Sequence, residues 1–182
     1  MVGWQVRGHS GLWWGAVSVL IASLAAAGQG PQLGRPATPA EIAAVDLSIP
    51  PDGTGLPPGQ GTATEGEAIF NRQCASCHGA KGVGGTNDRL AGGLGTLTTN
   101  QPIKTVGSYW QWATTLFDYT RRAMPYGAPM SLKDPEVYAL TAYMLHINGI
   151  IGEDDVMNAQ TLPRVKMPNR DHFINAYPER PK

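Results

Sequence analysis

Apolar positions recur with a helical period in three stretches of this chain, and no stretch shows strand-like alternation of useful length. The first stretch begins near Thr64. Thr64 and Glu67 have capping-box spacing, and Gly66, Ile69, Phe70 and Gln73 follow. The second runs from about Ser108 to Ala123. Trp110, Thr114, Phe117 and Arg121 fall on one face, with Trp112, Leu116 and Tyr119 on another. Met124-Pro125 ends it, because a residue before proline is pushed out of helical geometry. The third starts with Asp134 as N-cap, Pro135 in the first helical position and Glu136 next. Val137, Leu140, Met144 and Leu145 form its core stripe, and Asn148-Gly149 is a stop signal. The pattern predicts an all-α domain over residues 65–149.

The flanks read differently. Residues 28–64 carry Pro31, Pro36, Pro39, Pro50, Pro51, Pro57 and Pro58, with turn signals at Asp52-Gly53-Thr54-Gly55 and Pro57-Pro58-Gly59. They predict an extended arm. Ile42, Val45, Leu47 and Ile49 give it apolar character, for lying on the domain or on a partner; a flexible spacer is the other reading. Residues 150–182 have little periodicity and form a C-terminal extension. Residues 1–27 read as an export signal: Arg7 is the only charge, Leu12 to Ala27 is apolar, and Ala25 and Ala27 suit a cleavage site. That run is shorter than the roughly 20 residues of a spanning helix. Cleavage leaves no stable membrane span; an uncleaved N-terminal anchor is the alternative.

Charge narrows the function classes. The chain has 14 Lys and Arg against 14 Asp and Glu. Losing Arg7 with the signal leaves one more acid than base. Such a balance excludes nucleic-acid binding and polybasic membrane binding as leading functions.

Cysteine usage then supplies the chemistry. The two cysteines both lie in Cys74-Ala75-Ser76-Cys77-His78, and C-x-x-C-H is the attachment signature of c-type haem. At helical geometry the two thiols, three residues apart, share a face and can each add to a haem vinyl group. His78 follows directly, so its imidazole can reach the iron from one side. The competing readings are a thioredoxin-like pair, which wants a βαβ context, and half a zinc site, which wants a second ligand pair. His146 and His172 lack that spacing. Gly79, Gly82, Gly84, Gly85, Gly92, Gly93 and Gly95 follow the motif and predict an irregular loop wrapped closely around something flat.

The other side of the iron decides between catalyst and carrier. Met124 lies where a helix breaks, aimed by the rigid Pro125. Met130, in the same loop, is the runner-up. Met144 reads as core, Met157 and Met167 as tail, and His146 as a surface histidine or a support for another ligand. A thioether opposite an imidazole favours ferrous iron and leaves no open site for substrate. The chain alone then performs no catalysis and passes electrons through the haem edge. A ligand-binding or peroxidase haem protein is the contrary reading.

Gly66, Phe70, Cys74, Cys77, His78, Met124-Pro125, Leu140 and Tyr143 resemble the signature of class I c-type cytochromes over about residues 62–149. The resemblance implies three main helices around one covalently bound haem c. It also implies that Gly66 and Phe70 pack against Leu140 and Tyr143. A narrower resemblance covers roughly residues 38–174. Thr105–Trp110, Ala113–Tyr119, Arg121–Pro125, the arm at Pro51–Pro57 and the tail at Asn148–Glu153 are similar to the cytochrome subunit of sulfite and sulfane dehydrogenases. These enzymes belong to the Sox sulfur-oxidation system and related molybdenum enzymes. That similarity implies a periplasmic chain, a molybdopterin-containing dehydrogenase subunit as electron donor and a downstream electron acceptor. A free-standing periplasmic shuttle is the alternative. Some family members carry two haems; the single motif here implies one. Tyr109, Trp110, Arg121 and Arg122 are candidates to bond the haem propionates, and Arg72, Lys81 and Arg89 to steer a partner.

Overall fold

Thr38 and Thr62 each begin a helix by the same local chemistry. The computed structural model describes residues 33–174, so the expected export signal lies outside the described residues. The chain divides into two units, one up to Asp46 and one from Leu47. In the first unit, helix α1 spans Pro39–Val45. The Thr38 hydroxyl accepts from the Glu41 N–H, and the Glu41 carboxylate accepts from the Thr38 N–H at 2.9 Å. Arg35 donates to the same carboxylate at 2.8 Å. No residue of α1 is buried. A segment read as extended arm thus contains a short helix held by local bonds, without burial.

In the second unit, a two-residue strand β1 (Gln60–Gly61) leads into α2 (Ala63–Gln73) and the short α3 (Ala75–His78). α4 spans Ala113–Ala123 and α5 spans Asp134–His146. Strand β2 (Met157–Asn158) pairs antiparallel with β1, with Gln60 opposite Asn158 and Gly61 opposite Met157. The main helices α2, α4 and α5 make this the all-α fold expected.

The helix starts differ from expectation for identifiable reasons. α2 is capped by Thr62 with Glu65, not Thr64 with Glu67; Thr62 also has a Glu three residues on, and the structure uses that pair. α4 begins five residues later than the periodicity predicts. Thr105 and Ser108 divert the backbone: the Ser108 hydroxyl accepts from the Thr105 N–H at 2.9 Å, and the Thr105 hydroxyl accepts from the Ser108 N–H at 3.1 Å. Such local side-chain bonds compete with helix formation. Asp134 is the first residue of α5 rather than its cap; Lys133 takes the cap position, and its N–H donates to Glu136 at 2.9 Å.

The core forms where α2 crosses α5. A Cβ on Gly66 would lie 2.0 Å from the Ala139 carbonyl oxygen and 2.8 Å from the Tyr143 Cβ, so only glycine permits this approach. Phe70 then meets Tyr143 with ring centroids 5.2 Å apart, as the resemblance implies. Phe117 of α4 meets Tyr138 of α5 at 4.5 Å. Met144 is buried, as read from its stripe.

Both flanks contribute more to this core than their composition indicates. Ile49 is buried, and its N–H donates to Asp118 at 3.1 Å. The Tyr138 hydroxyl donates to the Pro57 carbonyl at 2.9 Å. Met157, Leu162 and Met167 are each under 5 % exposed, so the methionines read as tail are core residues. Apolar side chains spaced irregularly along the tail escape a periodicity test yet bury their surface equally well.

Candidate functional site

The end of α2 and the turn of α3 deliver the two cysteines and the histidine together. Cys74 caps α2, its N–H bonding the Phe70 carbonyl at 2.8 Å. The turn of α3 follows at once, with the Cys77 and His78 N–H groups both donating to the Cys74 carbonyl, at 3.1 and 3.0 Å. The motif therefore occupies one helical turn, as its spacing requires. The two thiols differ in setting. Cys74 is half-buried and packs against the core, while Cys77 is exposed. Burial, with a smaller contribution from neighbouring Cys77, pushes the Cys74 thiol up to about 11. A dithiol redox pair needs a depressed pKa to form its thiolate. This setting works the opposite way.

His78 has a partner that no motif names. Its Nδ1 lies 2.8 Å from the carbonyl oxygen of Asp88. A carbonyl only accepts, so Nδ1 carries the proton and Nε2 keeps its lone pair for a metal. Ligating histidines are oriented in this way in metal sites generally. Every residue has a carbonyl, so side-chain patterns could not single out Asp88.

The glycine-rich loop brings that carbonyl into place. Gly79 has φ +76, and a Cβ there would lie 2.1 Å from the Gly84 carbonyl oxygen. The loop returns onto α3, with the Gly84 N–H donating to the His78 carbonyl at 2.8 Å and the Asn87 N–H to the Cys77 carbonyl at 2.9 Å. The Leu90 N–H donates to the Gly82 carbonyl at 2.7 Å. Leu90, Cys74 and Trp110 all pack against one apolar cluster.

Met124 stands at the end of α4 with extended backbone, φ −122 and ψ 149, and is partly buried. Its N–H donates to Thr120 at 3.2 Å, and the Ala128 N–H donates to the Pro125 carbonyl at 2.8 Å. Met130 is 56 % exposed and has φ +62, a left-handed conformation costly for a side chain of this size. The helix break at Met124 thus stands where it was read, and Met130 turns to solvent.

The expected propionate donors are largely engaged elsewhere. Arg121 pairs with Asp134 at 3.2 Å. Arg122 makes a two-point bond to Asp118, with Nε at 2.9 Å from Oδ1. Trp110 meets Tyr119 edge-on at 5.8 Å, and Lys104 lies over the Tyr109 ring at 5.0 Å. Arg72, Lys81 and Arg89 are exposed. Lys81 and Arg89 line a separate surface cavity of about 680 Å³ beside Tyr143 and His146, to which none of Cys74, Cys77, His78 or Met124 contributes. Among the described residues, no three His, Cys, Asp or Glu side chains converge on a metal-sized site. Among them also, no helix is long and apolar enough to cross a membrane.

Taken together, the donors suit a group reached by two cysteines from one turn, with an oriented imidazole beside them. A haem c meets these demands; a thiolate-ligated metal does not.

Known proteins resemble this chain. A family model described as cytochrome C oxidase, cbb3-type, subunit III matches residues 61–144. The crystal structure of the sulfane dehydrogenase SoxCD from Paracoccus pantotrophus is similar at 42 % identity and a TM-score of 0.73. The match covers 82 % of this chain and 73 % of that one. No curated protein sequence matches.

Proposed function

The chain belongs to the class I c-type cytochromes, similar to sulfane dehydrogenase SoxCD, and from that premise we propose that it is the electron-accepting subunit of a molybdenum-containing dehydrogenase that oxidises sulfite or a sulfane sulfur outside the cytoplasm. One haem c would be held covalently by Cys74 and Cys77, with His78 and Met124 supplying the protein ligands to its iron. When bound, it would supply one-electron uptake and release. Cys74 and Cys77 fix its position through the α2 end. His78 presents Nε2 because Asp88 holds Nδ1. Met124 would be the second protein ligand, so the chain would keep no position for a substrate and would leave sulfur chemistry to its partner. A thioether ligand would raise the reduction potential and suit an electron acceptor.

The observation carrying this reading is the reach of the SoxCD match. It covers 82 % of the chain, well beyond residues 61–144, so the flanks that a free carrier does not need are shared as well. The test is to mix the ferric protein with its molybdenum subunit and sulfite or a sulfane donor, and to follow the haem spectrum. Rapid reduction that requires the partner and the sulfur compound together is expected. A cytochrome that forms no complex and is never reduced by such a pair would sink the reading.

A further inference from the structure

Asn148 follows α5 and reads in the sequence as a stop signal, yet its side chain makes three hydrogen bonds. Nδ2 donates to the Met144 carbonyl at 2.8 Å and to the Leu90 carbonyl at 3.1 Å. Oδ1 accepts from the Gly92 N–H at 3.2 Å. Two carbonyls face one end of the amide and an N–H faces the other, so its orientation follows from its partners. The fit is close on a further side: a Cβ on Gly107 would lie 2.4 Å from Oδ1.

These bonds join the end of α5 to the far arm of the glycine-rich loop. The near arm is tied to α3 by the Asn87 N–H on the Cys77 carbonyl. Asp88, whose carbonyl meets His78 Nδ1 at 2.8 Å, lies between the two anchors. Residues 85–89 are all exposed, so side-chain burial does not hold this stretch. Its position comes from hydrogen bonds at both ends. Leu90 is the crossing point, donating to Gly82 while its carbonyl accepts from Asn148 and from the Val106 N–H at 3.2 Å.

We propose that Asn148 is a positioning residue for the haem: by clamping Leu90 and Gly92 to α5 it holds the Asp88 carbonyl on His78 and so fixes the imidazole plane and tautomer. This rests on His78 as the haem ligand. The path runs from Asn148 to Leu90, through Arg89 to Asp88, and across one hydrogen bond to the ring. Partners one step beyond a metal ligand set ligand orientation and basicity. Here that control extends one step further, to a side chain on another helix.

The test uses the ferrous, haem-loaded protein with ¹⁵N-labelled histidine. Haem ring-current shifts on the His78 ring first show whether His78 is the ligand, and their absence in the unmodified protein would remove the premise. The readout for Asn148 is the His78 Nδ1 proton, which a firm bond to Asp88 makes slow to exchange. Asn148→Ala is expected to lose the slowly exchanging signal. Asn148→Asp keeps the acceptor for Gly92 but loses both donations; it is expected to lose the signal too, and it serves if the alanine variant does not mature. Val137→Ala, buried at the far end of α5, lowers stability without touching the loop and is expected to keep the signal. Retention of the slow proton in both Asn148 variants, or its equal loss in Val137→Ala, would overturn the proposal.

Discussion

The two halves of the proposed site, around His78 and around Met124, are held by opposite means. On the His78 side, backbone bonds fold the loop onto α3, a carbonyl orients the imidazole, and the supporting helix is locked by the Gly66 crossing. On the Met124 side, a helix ends, a proline follows, and the next residues run out into solvent, with Tyr126 88 % and Met130 56 % exposed. One side is fixed by many short-range constraints. The other is placed by a helix end and the exposed turn after it, where the Ala128 N–H meets the Pro125 carbonyl. Damage on the His78 side should therefore cost the fold and the haem together, whereas damage on the Met124 side should change coordination and leave the rest standing.

The sharpest break of this contrast is Gly66→Ala. The added Cβ meets a backbone oxygen at 2.0 Å, so α2 and α5 must separate. A loss of about 3 kcal/mol is expected, read as a fall in Tm, together with a lower yield of haem-loaded protein. Next comes Met124→Ala. Covalent attachment should survive, the long-wavelength ferric band of methionine ligation should vanish, the potential should fall, and added cyanide should bind. Stability should drop less than in Gly66→Ala, and an equal drop would erase the difference between the two sides. The smallest effect belongs to Met130→Asn. Asparagine tolerates the left-handed backbone, so relief of about 1 kcal/mol of strain should leave Tm unchanged or slightly raised and the haem spectrum unaltered.

The same contrast governs what could be read from the chain. Cys74, Cys77 and His78 are legible because their chemistry demands fixed spacing, and Gly66 with Phe70, Leu140 and Tyr143 because a close crossing demands fixed residue types. The carbonyl of Asp88 is invisible because it belongs to the backbone. Asn148 was legible only as a helix stop; its contacts at Leu90 and Gly92 lie more than fifty residues back along the chain. The first turn of the second helix fails because Thr105 and Ser108 hold each other's backbone, a local bond that apolar periodicity does not register. Met157 and Met167 read as tail because nothing periodic surrounds them, though the tail returns to the core through β2 and Leu162.

A ligand pair of His78 and Met124 has a direct signature in the ferrous protein. A methionine methyl above the haem plane is moved far upfield by the ring current, well away from the methyl signals of the other methionines. With ¹³C-methyl methionine labelling, one such signal is expected, present in the unmodified protein and in Met130→Ala, and missing in Met124→Ala. A shifted methyl that persists in Met124→Ala, or that disappears in Met130→Ala, would contradict a closed site built on Met124.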